Sequence, residues 1–150
     1  MTSPVFAPMI SAIAIVTIAI APAKECTQTA LPNGTWGGDH VSLLVKEDGA
    51  ELEFDCAVGA IAGPVTLKDA GGVNVSTISA DGTYTQERPG PVTRENQPKN
   101  VAAKYTGKLV MDPAAGERRL TFEIHVEGSE KNLGPFIVTL GTEPRLFKCR

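Results

Sequence analysis

Turn-forming runs cut the chain at short, regular intervals from Gly34 onward, and this punctuation constrains the fold more than any other feature. EDGA (47–50), KDAGG (68–72), ADGT (80–83), DPAAGE (112–117), EGSEKN (127–132) and GTEP (141–144) each interrupt an apolar run. Asp-Gly supplies the positive backbone angles that tight hairpins require. Between the interruptions the period is two. In ELEFDCA, Leu52, Phe54 and Cys56 share one face and Glu51, Glu53 and Asp55 the other; in RLTFEIHVE, Leu120, Phe122, Ile124 and Val126 oppose Thr121, Glu123, His125 and Glu127. Successive side chains of a strand point to opposite faces, so each run has one dry face and one wet face. The pattern predicts strands near 40–46, 50–57, 61–68, 73–78, 82–87, 101–111, 118–127 and 134–141, with a short closing strand at 145–149. Helical periodicity is absent from the same stretch. The expected fold is all-β, an antiparallel meander β-barrel of about eight strands, with a β-sandwich as the alternative. One long break remains, ERPGPVTRENQPKN at 87–100, whose prolines exclude a central strand. Loops of that length are usually functional or mobile.

The first 23 residues, MTSPVFAPMISAIAIVTIAIAPA, carry no charged side chain, and the apolar run from Ile10 to Ala21 is as long as a signal-peptide core and short for a membrane span. Ala21-Pro22-Ala23 is an A-x-A cleavage signal. This predicts a signal peptide at 1–23, a tail at 24–33 and one β-domain over 34–150, secreted or periplasmic, with no stable membrane span after cleavage. Glu25 stands before Cys26, where lipid attachment needs a small residue, which argues against a lipoprotein. With 42% hydrophobic and 21% charged residues the composition is that of an ordinary globular domain. The net charge is -3, and the 14 Lys and Arg are scattered rather than gathered into a stripe, so the electrostatic footprint of nucleic-acid binding is missing.

The three cysteines have no C-x-x-C spacing, which disfavours metal ligation. Cys56 in LEFDCA and Cys149 in RLFKCR both lie in strand-like stretches, and the expected disulfide joins them. Closing so long a loop stabilises by roughly 3–5 kcal/mol in the chain-entropy model. Cys26, in the tail, is the odd one: it is unpaired, bridges two chains, or replaces one partner of that bridge.

GTWGGDH, residues 34–40, sets the only tryptophan among three glycines. Strict alternation back from Val41, Leu43 and Val45 puts Trp36 outside, whereas a β-bulge at Gly37-Gly38 would reset the register and turn it inward. In the closing strand Arg145, Phe147 and Cys149 share a face. If Cys149 meets an inward Cys56, Arg145 also points inward, where it would stack on Trp36. Gly34-Thr35-Trp36 at the first strand, with Arg145 late in the last, resembles the structural signature of the calycins, which include the lipocalins. The resemblance covers only the two ends of the chain; a Thr-Asp-Tyr-like segment and a helix after the barrel, both lipocalin features, are missing. It implies a closed antiparallel barrel able to hold a small ligand. The layout GTWGG, EFDCA, GPV and KC also resembles small exported bacterial proteins of unassigned function.

For metal or acid–base chemistry the best constellation is Glu123, His125 and Glu127 on one strand face, with Asp39 and His40 nearby. Alternation places the three opposite Phe122, Ile124 and Val126, on the solvent side of the wall. Glu51, Glu53 and Asp55 read the same way, because paired carboxylates for glycoside hydrolysis must face each other across a cleft. No G-x-S-x-G occurs, and DAGGV lies between strands and opens no helix. The expectation is therefore a non-catalytic binding protein without cofactor or metal. Val41, Leu43, Leu52, Phe54, Tyr105, Leu109, Phe122, Ile124, Phe136, Val138 and Phe147 are expected to line the interior, and a barrel of this size either fills with side chains or holds one small ligand. In one version a small apolar ligand sits near Trp36, Phe54, Tyr105 and Phe122. In the alternative, the chain binds an extracytoplasmic protein, as an envelope accessory or inhibitor, through the 87–100 loop with Arg88 and Arg94. A filled barrel moves function to the loops.

Overall fold

The computed structural model describes residues 28–149, and every regular element among them is a strand. The expected signal peptide at 1–23, its cleavage after Ala23, Cys26 and Arg150 lie outside the described residues. In chain order the strands are β1 (Thr29–Ala30), β2 (Gly34–Gly38), β3 (Val41–Lys46), β4 (Gly49–Phe54), β5 (Ala57–Ala62), β6 (Thr66–Gly72), β7 (Val75–Gln86), β8 (Asn100–Asp112), β9 (Glu117–Val126) and β10 (Leu133–Leu140). β5 and β6 behave as one strand broken at residues 63–65, since Ile61 pairs with Gly82 and Leu67 with Ile78 on successive parts of the long β7. Each remaining neighbour pairs antiparallel, and β10 returns to β2 through Thr139 with Gly37 and Leu140 with Trp36. The result is a closed eight-stranded antiparallel meander barrel, the architecture the calycin resemblance implied, and closure excludes the sandwich.

The alternation sorts residues as expected over most of the wall. Val41, Leu43, Leu52, Phe54, Tyr105, Leu109, Phe122, Ile124 and Val138 are buried, while Phe136 is half-buried. Phe147 departs from the expected lining: it is 68% exposed. The described residues include no buried polar or charged side chain, so the core is held by apolar contact and by the backbone ladder that satisfies its own polar groups.

Trp36 does face inward, but no bulge turns it. β2 pairs with β3 in unbroken register from Gly38 opposite Val41 to Gly34 opposite Val45, with Asp39 and His40 as a two-residue loop. Directly opposed residues of an antiparallel pair share a face, so Trp36 follows its partner Leu43 into the core. The two residues of the hairpin reverse the parity that a continuous strand would have kept. His40 takes φ 66° in that loop. Gly37 and Gly38 serve close approach instead. A Cβ at Gly37 would run into the Thr142 carbonyl and the Glu143–Pro144 backbone, and one at Gly38 into the Ile137 carbonyl.

What approaches Gly37 is the C-terminal segment. Residues 145–149 form no closing strand; after β10 the chain doubles back over the outer face of β2 as a strap. Its only ladder contact is a single parallel bridge between Arg145 and Asp39. Arg145 N donates to Gly38 O at 3.0 Å and His40 N donates to Arg145 O at 2.8 Å. Arg145 is therefore outside the barrel, its side chain 80% exposed and 3.7 Å from Asp39, and the expected stacking on Trp36 is not formed. The inference of an inward Arg145 failed because Cys149 reaches Cys56 from outside, at the β4–β5 turn, rather than through the lumen.

Further strand boundaries differ from expectation: the expected strand 50–57 ends at Phe54, with Asp55 and Cys56 forming the turn to β5, and the expected strand 61–68 is divided by the break at 63–65 between β5 and β6. Asp81-Gly82 is no hairpin: the strands expected at 73–78 and 82–87 are replaced by the one strand β7, Val75–Gln86, with Gly82 opposite both Ile61 and Ala103. Residues 34–38 form a strand of their own ahead of 41–46. Within the segment 24–33 read as a tail, β1 pairs with β6, and Leu31, 2% exposed, donates its N–H to Val65 O.

Candidate functional site

The expected ligand-contact residues are all core. Trp36 is fully buried and Tyr105, Phe122 and Phe54 nearly so. Trp36 Nε1 donates to Pro32 O at 3.1 Å, which satisfies the indole and fastens the chain that leads from Leu31. Tyr105 lies along the inner wall from β8 over β7 to β5, against bare backbone: a Cβ at Gly59 would collide with its hydroxyl, and one at Gly82 would press on its ring. Its O–H donates to Thr83 O at 2.6 Å. Burial pushes the Tyr105 phenol well above its ordinary range, so it stays a donor. At the other end Phe54, Tyr84 and Phe136 close the mouth over Phe122, with ring centroids 4.9 Å apart for Phe54–Phe136, 5.5 Å for Phe122–Phe136 and 5.9 Å for Phe54–Tyr84. The void left between Leu31, Leu43, Leu52, Ile78, Tyr105 and Phe122 is about 10 Å³. That is about the space one water needs, so the barrel as it stands is filled.

Outside, the polar faces pair among themselves. Asn132, from the β9–β10 connection, lies between two of the candidate metal ligands: His125 Nδ1–H donates to its Oδ1 at 3.1 Å and its Nδ2 donates to Glu123 Oε2 at 3.0 Å. Glu127 follows β9 and donates its N–H to Ala102 O. Lys46 engages Glu51 and Lys148 engages Glu53. Among the described residues no three His, Cys, Asp or Glu side chains converge. An open groove of about 1010 Å³ runs between Pro135–Ile137 of β10, the Gly37–His40 turn and the strap, rimmed by Asp39, Glu143 and Arg145.

The strap is fixed at a clasp. Cys149 is disulfide-bonded to Cys56, as expected from the sequence, and Cys149 N donates to Asp55 O at 3.2 Å. Phe147 N donates to Asp55 Oδ1 at 2.8 Å, the His40 ring pairs with Asp55 Oδ2, and the Phe147 ring packs 5.4 Å from that of His40. The disulfide is consistent with an oxidising, extracytoplasmic compartment. The Phe147 amide, and after it the His40 ring, holds the Asp55 carboxyl below the usual carboxylate range. The folded protein thus takes up that proton less readily than the unfolded chain. The clasp's contribution is complete above the ordinary carboxylate value and is lost as pH falls through the depressed one. The Phe147 amide resonance should therefore shift in one transition below the ordinary carboxylate range and stop titrating in Asp55→Asn; an amide indifferent to pH would break the assignment.

One region stands off the barrel without pairing to it: the loop 87–99 between β7 and β8, containing Arg88 and Arg94, both exposed. Its base is rigid. Thr85 pairs with Asn100 in the ladder, Thr85 Oγ1 donates to Asn100 Oδ1 at 3.0 Å, and Glu87 N donates to Cys56 O at 2.8 Å, which ties the loop to the disulfide turn. Its tip is organised by Asn96, the one residue of 87–99 that is half-buried rather than exposed. Asn96 Oδ1 accepts from Thr93 N at 2.5 Å and from Thr93 Oγ1 at 3.0 Å, while Asn96 Nδ2 donates to Pro91 O at 3.1 Å. A recess of about 310 Å³ separates the loop from the wall at Tyr84, Val101 and Val126. Sequence reasoning singled out the loop and its arginines but missed Asn96, whose role depends on a fold-back that no residue spacing encodes. Neither a protein-family model, nor a curated protein, nor a solved structure matches the chain.

Proposed function

We propose that this chain is an exported, non-catalytic protein-binding domain, calycin-like in architecture, that meets an extracytoplasmic partner through the 87–99 loop. The observation that carries this reading is the pairing of a filled lumen with a loop that is stiffened yet solvent-facing. A loop held by its own side chain has less conformational entropy to lose on binding, which is where preorganisation gains affinity. A photo-crosslinking amino acid at Arg94 should then give one discrete protein adduct in the extracytoplasmic fraction. The same group at Glu51, on the outer wall of β4, should give none, and an adduct formed from the same group at Arg88 should be lost on deletion of Gly90–Gln97 with the melting temperature preserved. Adducts from Glu51 alone would place the contact elsewhere and sink the reading.

The second reading, a small apolar ligand in the lumen, is favoured by one observation. Apart from the Tyr105 ring the void is lined by aliphatic side chains and Phe122, and Leu31 that helps stopper it sits on a segment held by the two-residue β1, one further backbone bond and the Trp36 indole on Pro32 O. Withdrawal of Leu31 would enlarge the space. Native mass spectrometry of the oxidised protein separates the two: a bound molecule of defined mass supports the second reading, and an empty protein rejects it.

A further inference from the structure

We propose that the loop is a substrate-like inhibitory segment for a serine endopeptidase with a small aliphatic primary pocket, and that Val92 is the residue it inserts. This rests on the reading of the loop as the protein-binding surface and adds the class of partner.

Three features of the tip converge on Val92. First, it is 66% exposed, a branched apolar side chain displayed on a polar loop where folding gains nothing from it. Second, the Asn96 side chain grips the main chain on both sides of it, through the Pro91 carbonyl before and the Thr93 amide after. Third, Pro91 immediately precedes Val92 and Pro89 lies two residues before it, which fixes two backbone angles on the approach, while Gly90 between them takes φ 104° in the bend at 89–90. A peptide enters a protease cleft with its primary side chain projecting and unobstructed, and Val92 is displayed in that way, between two bends, before any partner arrives.

The grip also accounts for resistance to cleavage. When a catalytic serine Oγ adds to the Val92 carbonyl carbon, the Val92–Thr93 C–N bond breaks and the Oγ proton passes, by way of the enzyme's general base, to the departing Thr93 nitrogen. Hydrolysis follows only if that amine leaves and a water replaces it. Here Asn96 stays bonded to the acyl side through Pro91 O and is covalently continuous with the amine side, and the Thr85–Asn100 pairing holds both ends of the loop. The amine remains beside the ester, so its return, which re-forms the peptide bond and gives the proton back to the serine, outpaces the entry of water.

The geometry selects Val92 over its basic neighbour. Arg94 lies in the bend at 94–96, and the bonds of Asn96 flank Val92 rather than Arg94. A small aliphatic pocket is the complement of valine, whereas a deep pocket with a buried carboxylate would select arginine.

The test is inhibition by the oxidised protein of two purified enzymes, pancreatic elastase for the small pocket and trypsin for the acidic one. Elastase should be inhibited with the Val92–Thr93 bond intact, and Val92→Asp should weaken inhibition by about 100-fold or more with unfolding unchanged, the loss expected for a central anchor residue. Val92→Arg should transfer inhibition to trypsin. Asn96→Ala should convert the inhibitor to a substrate cut after Val92. No inhibition of elastase, ready cleavage of the unaltered loop, unimpaired Val92→Asp, or inhibition of trypsin by the unaltered protein would each overturn the proposal. The crosslink from Arg94 is scored separately, so the loop can keep its role as a contact surface when the protease assignment fails.

Discussion

Replacing Trp36 with alanine is expected to destabilise the domain by about 3–5 kcal/mol, the range for truncating a large buried aromatic to a methyl group. Trp36 has no exposed surface, and its indole N–H is the partner of the Pro32 carbonyl. Truncation therefore empties a large volume in the core and removes the fastening of the chain that carries Leu31 across the barrel end. Trp36→Phe separates these effects: it retains much of the apolar contact and loses the hydrogen bond, worth about 1 kcal/mol. Denaturant unfolding followed by far-ultraviolet circular dichroism measures both, since the variants lack the fluorophore. A loss below about 1 kcal/mol in Trp36→Ala would show that the residue is not the plug described.

The disulfide carries an effect of similar size by a different route. Cys56 and Cys149 are 93 positions apart, and a loop of that length lowers the entropy of the unfolded chain by roughly 4–5 kcal/mol at 25 °C. Reduction, or the double substitution Cys56→Ala and Cys149→Ala, should lower the melting temperature by roughly 10–20 °C. The barrel itself should survive, because the ring is closed by β10 on β2 and not by sulfur. Calorimetry with and without reductant tests both halves. Loss of all far-ultraviolet structure on reduction would mean that ladder closure depends on the strap, contrary to the expectation.

Period-two alternation was enough to read the fold class, the meander and most of the lining, because each wall strand has one face against the same core. The bridge was read correctly by pairing the two cysteines outside the tail, although neither lies in a strand: Cys56 is in the β4–β5 turn and Cys149 in the strap. What escaped was geometry that depends on residues distant in sequence. Asp81-Gly82 looks like a hairpin, yet Gly82 is a glycine because the Ala60 carbonyl and the Tyr105 ring come within its missing side chain's reach. Gly37 and Gly38 look like a bulge, yet they make room for the strap and for Ile137. Arg145 and Phe147 obey strand alternation in the sequence but lie on a segment that never joins the wall. At the candidate site the loop's boundaries and its arginines were visible from its prolines and charges. The Asn96 grip was not, since it arises only once the tip has folded back on itself.

The bridge also decides how the molecule answers to tension. A pull applied across its two ends would travel from β1 through β4 to Cys56, cross directly to Cys149, and leave β5 through β10 slack. Roughly 300 Å of chain contour is thereby hidden from the load. The oxidised domain can lengthen only by its first four strands, with the loop 87–99 inside the shielded span, whereas the reduced domain can be drawn out whole.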